Sequence, residues 1–135
     1  MPKLRWYQIF ISHAWNYDEN HRIKAFLINY PYLKVRDLSV PYDNSLNVRS
    51  QSELKDRLKQ LIRCSHIVIV PAGMEVSRSY WVQFEINYAT DVEKPIVGII
   101  PWGRERIPKL VDEFADEIVG WNSNSIVRAV RQFSL

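Results

Sequence analysis

The chain has 135 residues, 47% hydrophobic and 24% charged, with a formal net charge of +3. That length makes one domain, residues 1–135, which buries roughly 65–70% of the surface its unfolded chain exposes. The composition excludes a low-complexity protein, and basic residues scattered without a stripe of interleaved aromatics argue against a nucleic-acid partner.

The chain opens with an apolar run, Trp6–Ile11, that reads as a first strand. Glu19–Tyr30 carries Ile23, Phe26, Leu27 and Tyr30 at helical spacing, with Asp18 as N-cap. Leu33–Leu38 is a second, weaker strand. Ser50-Gln51-Ser52-Glu53 is a capping box that opens a helix with Leu54, Leu58, Leu61 and Ile62 on one side. His66–Val70 is a third strand, ended by Pro71-Ala72-Gly73. A helix through Trp81 and Glu85 follows. Pro95–Ile100 is a fourth strand, closed by Pro101-Trp102-Gly103. Pro108 suits the first turn of a helix reaching Phe114. Glu117–Trp121 is a short fifth strand. Asn122 or Ser123 then caps a last helix with Ile126, Val127, Val130 and Phe133 inward.

Apolar runs of about six residues are too short to span a bilayer, so no membrane partner is expected. No charged start leads into an apolar core and a small-residue cleavage site. Cys64 stands alone, which predicts no disulfide framework and a reducing compartment; a cysteine beside an apolar run predicts a small core residue. The expected location is cytoplasmic.

Five β/α repeats with near-continuous apolar central strands predict a parallel sheet covered on both faces. Right-handed crossovers favour the flavodoxin-like three-layer sandwich, strand order 2-1-3-4-5. Ligands in such sheets bind beyond the carboxyl ends of the strands, near the switch between the first and third. That rim holds Ser12-His13-Ala14-Trp15, Asp37-Leu38-Ser39, Pro71-Ala72-Gly73 and the start of the Trp81 helix.

One residue on that helix breaks the pattern. Trp81, Phe84, Tyr88 and Val92 share a face, and Glu85 lies on it too, while Gln83, Asn87 and Asp91 look outward. A carboxylate among aromatics is costly unless it is paired, hydrogen-bonded or functional. An ion pair with Arg78 or Arg104 is the structural alternative.

Two familiar occupants of this fold fit poorly. The loop after the first strand, Ser12-His13-Ala14-Trp15-Asn16-Tyr17, has no glycine with which to cradle a flavin phosphate. Phosphoacceptor receivers need an acidic pair after the first strand and an Asp ending the third, where this chain has Ser12-His13 and Pro71; Lys94-Pro95 precedes a strand instead of following one. His21 and His66 lack partners at ligand spacing, so no metal is expected.

Phe10-Ile11-Ser12-His13-Ala14-Trp15 resembles the opening of TIR-like domains, and Ser79-Tyr80-Trp81-Val82-Gln83-Phe84-Glu85 matches their Ser-x-Trp-x-x-x-Glu pattern. Lys94-Pro95-Ile96-Val97-Gly98, Pro101-Trp102-Gly103 and Val119-Gly120-Trp121-Asn122 with Ile126-Val127 resemble the bacterial and archaeal subgroup that includes the Thoeris anti-phage TIR protein. The resemblance covers essentially the whole chain.

It implies an NAD⁺-consuming activity with Glu85 as the catalytic residue. NAD⁺ is then substrate and no cofactor is needed. The product is ADP-ribose, or a cyclic ADP-ribose isomer that reaches a downstream effector as a nucleotide signal. Substrate contacts are expected from Ser12, His13, Asp37 and Trp81, although Asp37 also suits a turn and Trp81 also suits packing on the sheet. Tyr88 is expected in the core. The loop Pro41-Tyr42-Asp43-Asn44-Ser45-Leu46-Asn47 stands where TIR domains govern assembly and access, which implies self-assembly through TIR surfaces. Two alternatives remain: a non-enzymatic TIR-type signalling module, and a nucleoside deoxyribosyltransferase-like enzyme with a nucleophilic glutamate.

Overall fold

The computed structural model describes residues 6–12, 23, 25, 27–30, 33–38, 51–71, 80–100, 113–120 and 122–134. Within them run β1 (Trp6–Ile11), β2 (Lys34–Asp37), α1 (Gln51–Cys64), β3 (Ile67–Pro71), α2 (Tyr80–Asp91), β4 (Ile96–Ile99), β5 (Glu117–Val119) and α3 (Ser123–Phe133). Ile23, Ala25, Leu27 and Ile28 are also helical. The five strands form one parallel sheet in the order β2-β1-β3-β4-β5. This is the expected flavodoxin-like arrangement, with its switch point between β1 and β3.

Strand alternation divides the core in two. Ile9, Ile11, Ile67, Ile69, Val97, Ile99 and Val119 face Ile23 and Leu27 and the apolar side of α3, formed by Ile126, Val127, Ala129 and Val130. Phe10, Val68, Val70 and Ile96 face Leu58 and Ile62 of α1 and Ile86 and Ala89 of α2. Both faces are covered, so the central strands read as continuous apolar runs. The edge strand β2 carries Lys34 and Arg36, each 5.6 Å from the ring of Trp6, which is itself 53% exposed. A short, cation-bearing edge resists pairing with another chain.

Boundaries shift by a residue or two. β3 begins at Ile67, not His66, because the His66 ring does the work of a strand carbonyl: its Nδ1 accepts from the Gln8 backbone N–H at 2.9 Å, while the His66 N–H donates to the Gln8 carbonyl. β5 stops at Val119, two residues short of the expected Trp121. Asn122 is the cap of α3, its Oδ1 accepting from the Ser125 N–H at 3.1 Å. Helix α2 ends in a Schellman turn: Lys94 N–H reaches Ala89 O, Glu93 N–H reaches Thr90 O, and Glu93 takes a left-handed φ of 59°.

Two core expectations are corrected. Cys64 is exposed, because it falls on the wet side of the last turn of α1 while Leu58 and Ile62 take the buried side. Tyr88 packs against the core but is half-buried rather than enclosed in it, and it stacks on Phe84. No helix among the described residues is long and apolar enough to cross a membrane.

Candidate active site

Alternation along β1 aims the first site residue. Ile9 and Ile11 turn toward α3, while Phe10 turns toward α1 and α2. Ser12, two residues past Phe10, continues the α2-facing side. Its backbone N–H donates to Ile69 O at 2.9 Å, extending the β1–β3 pairing by one bond. Ser12 therefore stands at the carboxyl end of the sheet, at the switch point, and is fully buried.

Helix α2 brings the second residue. The sequence pattern places Glu85 on an aromatic face; among the described side chains of α2 the buried ones are Glu85, Ile86 and Ala89. Phe84, Tyr88 and Val92 of the aromatic stripe are half-buried and pack against the edge of that core. Phe84 and Tyr88 stack with centroids 6.4 Å apart, and Lys55 and Lys59 of α1 sit over them at 5.8 and 5.5 Å. Small Ala89 and branched Ile86 meet the sheet closely, and that contact carries Glu85 inward in the second turn of α2. Gln83, expected outward, is half-buried, while Asn87 and Asp91 are exposed.

The two residues meet. Ser12 Oγ donates to Glu85 Oε1 at 2.9 Å, a buried hydrogen bond between side chains 73 positions apart. A hydrogen bond to a charged group contributes about 1.5–3 kcal/mol. Taking a carboxylate out of water costs several kcal/mol, which its buried hydrogen bonds must offset. A group held at that cost beside a ligand rim is a candidate for chemistry.

Among the other expected site residues, Asp37 is the last residue of β2 and pairs in register with Ile9, three residues before Ser12. Trp81 lies in the first turn of α2, one turn before Glu85. The side chains of both lie outside the described residues, as do His13, the loop 41–47, Arg78 and Arg104. What sequence reasoning missed was the direct bond between Ser12 and Glu85. Its signal was the two-residue step from Phe10 to Ser12, which fixes the face but not the partner. No group of three or more metal-ligating side chains occurs among the described residues.

Chemically, the pair offers a shielded carboxylate held by a hydroxyl donor. Such a group can stabilise positive charge developing on a sugar, hydrogen-bond a sugar hydroxyl, or attack an anomeric carbon.

The sequence profile of the TIR-like domain of the Thoeris protein ThsB matches residues 10–106. The match runs from the residues before Ser12 to beyond Glu85. Among solved structures, the CMP N-glycosidase BcmB of Clostridium botulinum resembles this fold with a TM-score of 0.57 at 16% identity, over 92% of this chain and 98% of that one. At that identity the likeness is one of fold. No curated protein matches the chain.

Proposed function

We propose that this chain, which belongs to the family of Thoeris ThsB TIR-like domains, cleaves the nicotinamide–ribose bond of NAD⁺ with Glu85 as its catalytic residue. One observation carries the reading: Glu85 is fully buried at the carboxyl end of the sheet, bonded to Ser12 at the strand switch point. His13, Asp37 and Trp81 are the proposed substrate contacts.

The reaction needs few groups. When the C1′–N bond breaks, its electron pair neutralises the cationic nicotinamide ring, which departs without a general acid. Positive charge grows on the ribose anomeric carbon and ring oxygen, as in glycoside cleavage. A carboxylate in a water-poor site stabilises that charge more than it would in bulk water. Water then bonds to C1′ and releases a proton, giving ADP-ribose. Capture by an atom of the same molecule gives a cyclic isomer instead. In a defence setting that product is the signal an effector reads, and self-assembly through the loop at 41–47 completes or opens the site.

The test is parallel incubation of the protein and its Glu85→Gln variant with NAD⁺, with nicotinamide release followed by chromatography. Wild-type turnover with loss of at least a hundredfold in the variant is the expected result. Equal turnover by the two proteins sinks the proposal.

A second reading draws on the fold neighbour, whose name assigns it N-glycosidic cleavage of CMP. In it Glu85 attacks the anomeric carbon of a nucleoside or nucleotide, as in deoxyribosyltransferase-like enzymes, forming a glycosyl ester as the C1′–N bond breaks. The base leaves with the electron pair and takes a proton from water. A sugar trapped covalently on Glu85 favours this reading over NAD⁺ cleavage.

A further inference from the structure

We propose that Ser12 is a positioning residue that acts through Glu85 and does not bind the substrate itself; the proposal rests on Glu85 being the catalytic carboxylate. A serine hydroxyl has one proton to donate. Here that proton goes to Glu85 Oε1 at 2.9 Å, and the Ser12 side chain is fully buried. It cannot donate to a substrate oxygen at the same time.

The mechanical arrangement supports the same role. Glutamate has three side-chain torsions to hold, and serine has one. Serine's backbone is fixed by the bond from its N–H to Ile69 O, an extension of the central β1–β3 ladder. The ladder is in turn buried on both faces by Phe10 and Val68 on one side and Ile11 and Ile69 on the other. Helix α2 and strand β1 thus locate the two ends, and the short Ser12 side chain locks the end of the long Glu85 one. Preorganisation of this kind matters because a misplaced carboxylate loses most of its advantage over solvent.

A positioning role has a different signature from a substrate contact. Loss of the Ser12 hydroxyl lowers kcat and leaves KM nearly unchanged, since the carboxylate's stabilisation is realised in the transition state. One charge-assisted hydrogen bond corresponds to a roughly ten- to hundredfold effect.

The experiment compares Ser12→Ala, Ser12→Thr, Glu85→Gln and the Ser12→Ala/Glu85→Gln double variant, each first shown to melt cooperatively. For NAD⁺ turnover, the expected result is a tenfold or greater fall in kcat for Ser12→Ala, KM within about twofold, partial rescue by Thr, and no further loss in the double variant. A raised KM with unchanged kcat overturns the proposal, as does wild-type kcat in Ser12→Ala.

A second arm needs no turnover. In protein labelled at glutamate side-chain carboxyl carbons, the Glu85 resonance, assigned through Glu85→Gln, shifts or splits in Ser12→Ala and returns toward its original position in Ser12→Thr. An unmoved resonance overturns the proposal. If Glu85→Gln turns over NAD⁺ at the wild-type rate, the reading of Glu85 as catalyst fails, and the resonance arm still reports separately whether Ser12 holds it.

Discussion

Ser12 Oγ and Glu85 Oε1 lie 2.9 Å apart in the interior, joined by a hydrogen bond that ties the end of β1 to the second turn of α2. Burying a carboxylate costs several kcal/mol before its hydrogen bonds are counted. Glu85→Gln keeps an acceptor for Ser12 and removes the charge. We expect it to be more stable than wild type by about 1 kcal/mol, the usual direction when a functional group is neutralised. Thermal unfolding checks this, with a rise of roughly 2–5 °C expected. A fall of several degrees shows instead that the charge stabilises the fold.

His66 supplies the next prediction. A backbone N–H can only donate, so the bond from Gln8 N–H at 2.9 Å requires the ring nitrogen Nδ1 to be an unprotonated acceptor. His66→Ala leaves a part-buried N–H without that acceptor and is expected to cost about 1–3 kcal/mol. His66→Asn presents a carbonyl oxygen at similar reach and should cost less than half as much. Urea unfolding of the two variants distinguishes them; equal losses show that ring packing, not the hydrogen bond, is what matters there.

Glu93 is a non-glycine residue with φ of 59° at the C-terminal turn of α2. The Schellman bonds from Glu93 and Lys94 require that conformation, in which a Cβ crowds the backbone. Glu93→Gly relieves the crowding but adds freedom to the unfolded chain. The steric term is the larger, so a net gain of about 0.5 kcal/mol is expected. Glu93→Ala keeps the Cβ and should show no such gain in the same thermal melts.

How much of this was legible without coordinates depends on the range of the interaction. Apolar runs and helical spacing gave the elements, and their β/α alternation with right-handed crossovers gave the sheet order, because each element is decided by residues two, three or four apart. The same local signals located Ser12 on the rim and singled out Glu85 as a misplaced charge. They erred in degree of rotation: the aromatics of α2 looked like its buried stripe, yet Phe84 and Tyr88 are half-buried at the edge of the core, beneath Lys55 and Lys59. Aromatic rings and lysine stems cover surface together, and hydropathy counts only the ring. The bond from Ser12 to Glu85 spans 73 positions, and no periodicity reports a contact at that separation.

Cys64 and Leu58 test the corrected rotation of α1. Leu58 is fully buried against the sheet, and Leu58→Ala is expected to cost about 2–5 kcal/mol through lost burial and the cavity left behind. Cys64 is exposed, so Cys64→Ser should change stability by less than about 0.5 kcal/mol. The native protein should also react fully with a thiol reagent without denaturant. A thiol that reacts only after unfolding means that Cys64 packs inward, and the wet face of α1 then has to be redrawn.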